Sequence, residues 1–446
     1  MPRSKRPRRK ESRLARIVLS TLGSLGDLHP YIAVGVELAA LGHAPVIATH
    51  GIYRARVERA GVAFHAVRPD FDAFGDIDEA MRRAMDLHTG SRYVLDRFVL
   101  PYLRASYDDL LVACAGADLV VTHVLTFGAS LAAETLGVPR VHSAVQPFAM
   151  FSAHDPMIVP AMPVLEWLSR TGTGPRRALW ALARAASRGW FAPVDALRRE
   201  VGLPRSRAHP LMRMWSPYLN LALFSPVFAP PQPDWPPHTE ATGFPQWDRD
   251  EEGRGTSAPL RAFLDAGEPP VVFTLGSSAV YDAGTFYEES ARAAAALGVR
   301  AVLLTGPEGR NVLARSAGDR VWVEAYAPHS EIFPRAAAIV HQGGIGTTGQ
   351  ALAAGRPMLV MPYSHDQPDN AARCRRLGIA RVIPRGAYRA KRVARDLGAL
   401  LADAGTRERA AGVGARVRAE HGGAAAARAI DALLRGGRLV RAVARP

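Results

Sequence analysis

The chain has 446 residues, 48% of them hydrophobic, enough for two domains that each bury a core and too apolar for a disordered protein. Its formal charge of +15 comes without aromatic-basic interleaving or a nucleic-acid module, so nucleic acid is not the expected partner. Runs of about 18 uncharged apolar residues are absent, so no membrane-spanning helix is expected.

Much of the charge lies in the first sixteen residues, where Arg3, Lys5, Arg6, Arg8, Arg9, Lys10, Arg13 and Arg16 face Glu11 alone. Residues 1–13 read as a basic disordered tail, suited to peripheral contact with the inner face of an anionic membrane. The apolar segment that follows holds Arg16 and a Gly23–Asp27 turn, so it reads as a first strand and not a signal peptide. Cys114 and Cys374 have no metal or disulfide spacing. They suit a reducing, cytoplasmic setting.

From Leu14 onward short apolar strands alternate with amphipathic helices, the pattern of a parallel sheet covered on both faces. Strands are expected at 15–21, 44–49, 118–122 and 140–143. A helix is expected from about Pro30 to Leu41, since proline suits a first helical turn. Between 71 and 115, and again from 147 to 216, the alternation gives way to helical, aromatic-rich insertions. Phe148, Phe151 and Trp167 in the second insertion are candidates for an apolar acceptor pocket over the strand ends, where open α/β sheets bind ligands.

Residues 226–268 are rich in proline and charge and read as a linker. This makes 14–225 a first Rossmann-like domain and 269–423 a second. Strands of the second are expected at 270–275, 301–305, 321–324, 338–341, 357–361 and 380–383. Residues 424–446 read as a helical tail.

The most informative stretch runs from Ala338 to Leu377. A buried strand enters the glycine turn His341-Gln342-Gly343-Gly344-Ile345-Gly346-Thr347-Thr348, and a helix follows. Strand, glycine turn and helix start converge backbone N–H groups and a helix dipole on one point, a phosphate site. Gly343, Gly344 and Gly346 permit close approach. His341, Thr347 and Thr348 add side-chain donors.

At these residues the chain resembles the UDP-glycosyltransferase family, inverting nucleotide-sugar transferases with two Rossmann-like domains facing each other across a cleft (the α/β GT-B fold). The resemblance implies that His341 and Thr347 hold a diphosphate and that Asp366-Gln367 grip the sugar hydroxyls. It assigns Gly276, Ser277 and Ser278 to a second diphosphate contact. Tyr326-Ala327-Pro328-His329 matches the family's base-stacking string, with tyrosine for tryptophan. The ribose-binding glutamate is replaced by Gly349, with Gln350 beside it. A ribose with fewer hydroxyls, as in dTDP, fits that loss. The tail of the chain is expected to cross back onto the first domain. The segments at 228–235, 242–248, 273–278 and 365–371 resemble the bacterial rhamnosyltransferases that act on hydroxylated fatty-acid dimers. HQGGIGTT is also similar to the HHGGAGTT of sterol and natural-product glucosyltransferases.

Glycosyl transfer needs a base for the acceptor hydroxyl, a cradle for the departing diphosphate and contacts to the sugar. In Gly26-Asp27-Leu28-His29-Pro30, Asp27 stands where many family members carry a catalytic histidine. It is the first candidate base, although an aspartate there also suits a helix cap. His29 is the alternative base. His123 stands where the family places the orienting aspartate, so the pair reads as exchanged. The strings Asp70-Phe71-Asp72 and Asp76-Ile77-Asp78 are not taken for a metal site, and no metal or other cofactor is expected.

The sequence thus implies transfer of a hexose or deoxyhexose from a UDP- or dTDP-sugar to a hydroxyl of a lipid, sterol or phenolic acceptor. An epimerase or hydrolase on the same fold, or a non-catalytic nucleotide-sugar-binding subunit, remain alternatives. The first turn lacks a full GxGxxG fingerprint, which disfavours a dinucleotide oxidoreductase.

Overall fold

The computed structural model describes residues 14–158, 171–249, 255–306, 311, 319–436 and 439. Two sheets carry the architecture, and every strand pairing in both is parallel. The first has the order β3-β2-β1-β4-β5-β6-β7. Its strands are β1 (Arg16–Ser20), β2 (Ala44–Thr49), β3 (Ala63–Ala66), β4 (Leu119–His123), β5 (Arg140–Ala144), β6 (Asn220–Ala222) and β7 (Thr239–Ala241). The second has the order β10-β9-β8-β11-β12-β13. These are β8 (Val271–Thr274), β9 (Ala301–Leu304), β10 (Val321–Glu324), β11 (Ala338–His341), β12 (Met358–Val360) and β13 (Ala380–Val382).

The central strands read as unbroken apolar runs because helices cover both faces. Leu119–His123 and Val271–Thr274 are buried at every position. In each sheet the order reverses beside the first strand, between β1 and β4 and between β8 and β11. A crevice opens at such a reversal, at the carboxyl ends of the strands. Asp27 follows β1 and His123 ends β4, while Gly276 follows β8 and His341 ends β11. Topology alone therefore brings all four to the two crevices.

Three expectations need correction. The first helix spans Leu25–Ala40 and starts well before Pro30, because Ser24 and Asp27 form a capping box: Ser24 caps, and the Asp27 carboxylate accepts from the Ser24 N–H. Proline is carried inside the helix. The stretch 226–268 is not all linker. Thr239–Ala241 completes the first sheet and Ala258–Asp265 is a helix of the second domain. Strands β3, β6 and β7 lie at positions where the sequence suggests none.

The last helix, Gly422–Arg435, lies along Leu25–Ala40, with His43 Nε2 3.1 Å from Asp431 Oδ1. The chain crosses between domains twice, and the crossings touch. A Cβ on Gly422 would come within 2.6 Å of the Gly243 backbone. The tail expected at 1–13 lies outside the described residues, as does most of the chain after Gly436. Among the described residues no helix is long and apolar enough to cross a membrane.

Candidate active site

The first-domain half of the site is the turn after β1. Asp27 Oδ2 accepts from the Ser24 N–H at 2.9 Å. Gly23, at φ 130°, must be glycine, since a Cβ there would lie 2.3 Å from that oxygen. Tyr53 braces the turn by donating to the Gly23 carbonyl at 3.0 Å. The other carboxylate oxygen, Oδ1, lies 3.6 Å from His123 Nε2. Burial raises the Asp27 carboxyl to about 6, against two lowering contacts from Ser24. Its side chain keeps 24% exposure.

His123 is fully buried, and among the described residues neither ring nitrogen has a hydrogen-bond partner. Burial lowers it to about 4, so it is neutral at physiological pH. The sequence's two candidates are therefore brought together. His29 is not part of this pair: its Nε2 faces Arg56 Nη1 at 3.5 Å. Burial, Arg56 and His329 push it down to about 3, which leaves it a weak base. The acidic strings have structural work, Asp70 accepting from the Gly51 N–H and Asp76 capping the Ile77–Ala84 helix.

The second-domain half is the turn after β11. The Ile345–Ala354 helix starts at Gly344, which has no side chain to cap it, so the first-turn N–H groups open on the cleft. Gly343, at φ 87°, could carry no Cβ without meeting Val360 and the Gln367 carbonyl. His341 departs from expectation. Its Nδ1 accepts from the Gly343 N–H at 3.0 Å and its Nε2 lies 3.3 Å from Met358 Sδ. The ring shapes the turn from within instead of presenting a donor.

Beside these glycines sits a buried polar side chain that the glycine pattern does not single out, Gln342. Only 5% exposed, its Nε2 fills the notch between two glycine turns. A Cβ on Gly276 would lie 2.3 Å from that atom and one on Gly344 2.8 Å. Its Oε1 is buried without a partner among the described residues. Thr347 and Thr348 stand behind it, the Thr348 hydroxyl likewise unpartnered. Ser277 and Ser278 make no hydrogen bond through their hydroxyls among the described residues.

Asp366 and Gln367 begin the Gln367–Arg376 helix. Asn370 donates to the Asp366 carboxylate at 2.6 Å, yet burial, with the charge of Asp27 contributing, raises Asp366 to about 7. The two carboxylates thus sense each other across the cleft. Gln367 Oε1 accepts from the Tyr363 N–H at 2.9 Å. The domains meet in van der Waals contact here: a Cβ on Gly346 would sit 3.4 Å from the Gly26 Cα.

Among the residues expected to hold the nucleoside, Tyr326 donates from its hydroxyl to the Asp248 carbonyl and keeps 39% exposure. Ala327 is buried, and the His329 ring stacks on Phe333 at 4.2 Å. Gly349 has a local reason to be glycine, because a Cβ would lie 2.9 Å from the Phe244 ring. Gln350 is partly buried beside it. Phe148 and Phe151 join Trp180 and Met157 in a small satellite cluster. Trp167 lies outside the described residues. Among the described residues no group of three or more histidine, cysteine or acidic side chains gathers as a metal site would require.

Two Rossmann-like domains closing over a carboxylate on one side and an open helix start on the other give the chain the GT-B fold. A family model for the glycosyltransferase family 28 N-terminal domain matches residues 17–104. A model for the erythromycin biosynthesis protein CIII-like, C-terminal domain matches residues 293–433. The chain is 32% identical over 423 residues to the O-mycaminosyltylonolide 6-deoxyallosyltransferase of Streptomyces fradiae, covering 91% of this chain and 94% of that protein. It is 29% identical over 386 residues to a sterol 3-beta-glucosyltransferase of Leptosphaeria maculans, covering 81% of this chain but 25% of that protein. The solved structure of glycosyltransferase VinC in complex with dTDP aligns with a TM-score of 0.65 at 18% identity, covering 95% of this chain and 100% of that one. The chain belongs to the UDP-glycosyltransferase family, and it is an enzyme that transfers a glycosyl group.

Proposed function

We propose that this enzyme moves a hexose or deoxyhexose, with inversion and without a metal, from a dTDP- or UDP-sugar to a hydroxyl of a hydrophobic natural product. The observation that carries this is the opposition of the Asp27 carboxylate to the uncapped helix start at Gly344, with the Asp366-Gln367 pair alongside. Asp27 takes the acceptor's hydroxyl proton as the oxygen bonds to the anomeric carbon. The bond from that carbon to the diphosphate breaks, and its electron pair leaves with the nucleotide. The first-turn N–H groups, Gln342 and Thr347 receive the developing charge. Asp366 and Gln367 hold the sugar. His123, neutral and 3.6 Å away, positions the carboxylate. The proton then passes from Asp27 to solvent.

Support for a dTDP donor comes from Gly349, which leaves no acid for a second ribose hydroxyl, and from the nucleotide named for VinC. A deoxyhexose and a natural-product acceptor agree with the 6-deoxyallosyl transfer named for the Streptomyces fradiae relative, and a sterol with the fungal one. The test is calorimetric titration with dTDP and UDP, followed by turnover of a dTDP-deoxyhexose with a macrolide aglycone. Anomeric coupling constants of the product report the stereochemistry. Retention at the anomeric carbon, or no nucleotide binding, would overturn the reading.

A further inference from the structure

The loop that carries Asp366 is fastened from both domains. At Tyr363 the partners belong to its own domain: the hydroxyl donates to the Asp282 carbonyl at 3.1 Å, and the Arg385 guanidinium lies 4.2 Å over the ring. At the next two residues, directly before Asp366, the partners change domain. Ser364 donates to the Ala84 carbonyl at 3.4 Å, and His365 Nδ1 lies 2.9 Å from Ser91 Oγ. The His365 ring also hydrogen-bonds the Ala84 carbonyl. His365 sits at φ 57°, a left-handed conformation costly for histidine that persists only where the surroundings enforce it.

The first domain presents these partners from a tightly tied turn, residues 84–91. Ala84 ends the Ile77–Ala84 helix, so its carbonyl has no partner within that helix and is open to donors from outside. Met85, the next residue, is buried in one cluster with Val271 and Phe273 of the second domain's core. The Asp86 carboxylate then accepts from the His88 and Thr89 N–H groups at 3.0 and 2.7 Å, and from the Thr89 hydroxyl at 2.7 Å. Gly90 closes the turn on its own start, since a Cβ there would lie 2.2 Å from the Ala84 carbonyl oxygen. That closure sets Ser91 beside His365.

We infer that Ser91 and His365 are positioning residues for the donor sugar: the 84–91 turn of the first domain holds the backbone on which Asp366 stands. Asn370 fixes one oxygen of the Asp366 carboxylate from within its own helix. The approach of the chain to that carboxylate is fixed from across the cleft. Among the described residues the hydrogen bonds of this turn to the second domain reach residues 364 and 365 and not the 341–348 turn. Loosening it should therefore disturb recognition of the sugar and spare recognition of the nucleotide. The inference rests on the proposed sugar-gripping role of Asp366.

The experiment is calorimetric titration of the full chain with dTDP, UDP, dTDP-rhamnose, dTDP-glucose and UDP-glucose. Its readout is the ratio of the sugar-nucleotide Kd to the Kd of the bare nucleotide. In Ser91→Ala, and in His365→Gly, which keeps the left-handed backbone and loses the ring, that ratio should rise about tenfold with bare-nucleotide affinity unchanged. Ser91→Thr retains the hydroxyl and should restore the ratio. In an Asp366→Ala background Ser91→Ala should add nothing, as expected of a residue that acts through another. Unchanged ratios in both variants, a parallel loss of nucleotide and sugar-nucleotide affinity, or additivity with Asp366→Ala overturns the inference alone. An unmodified enzyme that binds no nucleotide, or no sugar nucleotide, overturns the function reading and the inference with it.

Discussion

Asp27 Oδ1, in the first turn of the helix after β1, and His123 Nε2, at the end of neighbouring β4, stand 3.6 Å apart, close enough to interact and too far for a hydrogen bond. The other Asp27 oxygen is held by the Ser24 N–H. One oxygen therefore fixes the carboxylate, while the other shares the cleft with the buried imidazole. The same residue is both helix cap and candidate base, and the two roles use different oxygens.

Replacing Asp27 with Asn separates them. The amide oxygen still accepts from Ser24, so the helix start survives, but the side chain can no longer take a proton. Transfer should fall about 10³-fold or more with dTDP affinity unchanged. Near-normal turnover in a steady-state assay would remove Asp27 from the mechanism.

The same variant should melt at a higher temperature. Burial raises the folded-state carboxyl to about 6, above its unfolded value of about 3.9. The folded state thus binds the proton more tightly. Its stability falls as pH rises from about 4 to about 6 and stays at the lower level above that. Asn carries no charge to desolvate. A gain on the order of 1–2 kcal/mol at pH 7.5, shrinking towards pH 4, is expected in thermal scans, after allowance for the side chain's exposure to the cleft.

Turnover has the opposite slope. The base works deprotonated, so the transfer rate should climb through pH 6 and, one unit below, reach about a tenth of its plateau. His123 is neutral above about pH 4 and does not set this limb. His123→Phe should lower the plateau and leave the limb near 6. A limb that disappears with the imidazole would make His123 the titrating group.

Gln342 supplies a test of the donor cradle. Gln342→Ala removes a buried amide between two glycine turns and should weaken dTDP binding about tenfold. Gly276→Ala should do more, because its Cβ would lie 2.3 Å from the amide and its φ of 63° is unfavourable for alanine. Calorimetry on both variants, with circular dichroism to confirm folding, decides the point.

Much of this site is legible because its chemistry is local. The turn at 341–348 carries its glycines in sequence, and the strands before it are unbroken apolar runs. Ser24 and Asp27 also spell a capping box, but Pro30 draws the eye to a later start, since proline favours a first turn. Strands β3, β6 and β7 have three or four residues each and little apolar periodicity, too short to register. The link from Ser91 to His365 spans 274 positions and has no local signature at all. Even His341 misleads, because its residue type suits phosphate while its neighbours Gly343 and Met358 already occupy the ring.

Arg373 is the last case, and it binds the domains together. Only 2% exposed, it donates to Asp369 on its own helix at 2.7 Å and to Asp155 in the first domain. Asp369 in turn accepts from the Ile158 N–H at 3.1 Å, so the 151–158 loop is tied to the helix that begins beside Asp366. Burial pushes the Asp369 carboxyl up even with the guanidinium opposing it. Arg373→Met would leave the buried Asp369 carboxylate without its cation and Asp155 with Arg376 alone, 3.3 Å away, and should cost about 3–5 kcal/mol at neutral pH. The loss should shrink on acidification, as the orphaned Asp369 carboxylate takes up a proton. Asp155→Asn should cost less, since Arg373 keeps Asp369 and Asp155 is partly exposed. Urea titrations of both variants at pH 5 and pH 8 measure the difference, and a loss independent of pH would show that packing, not charge, holds this joint.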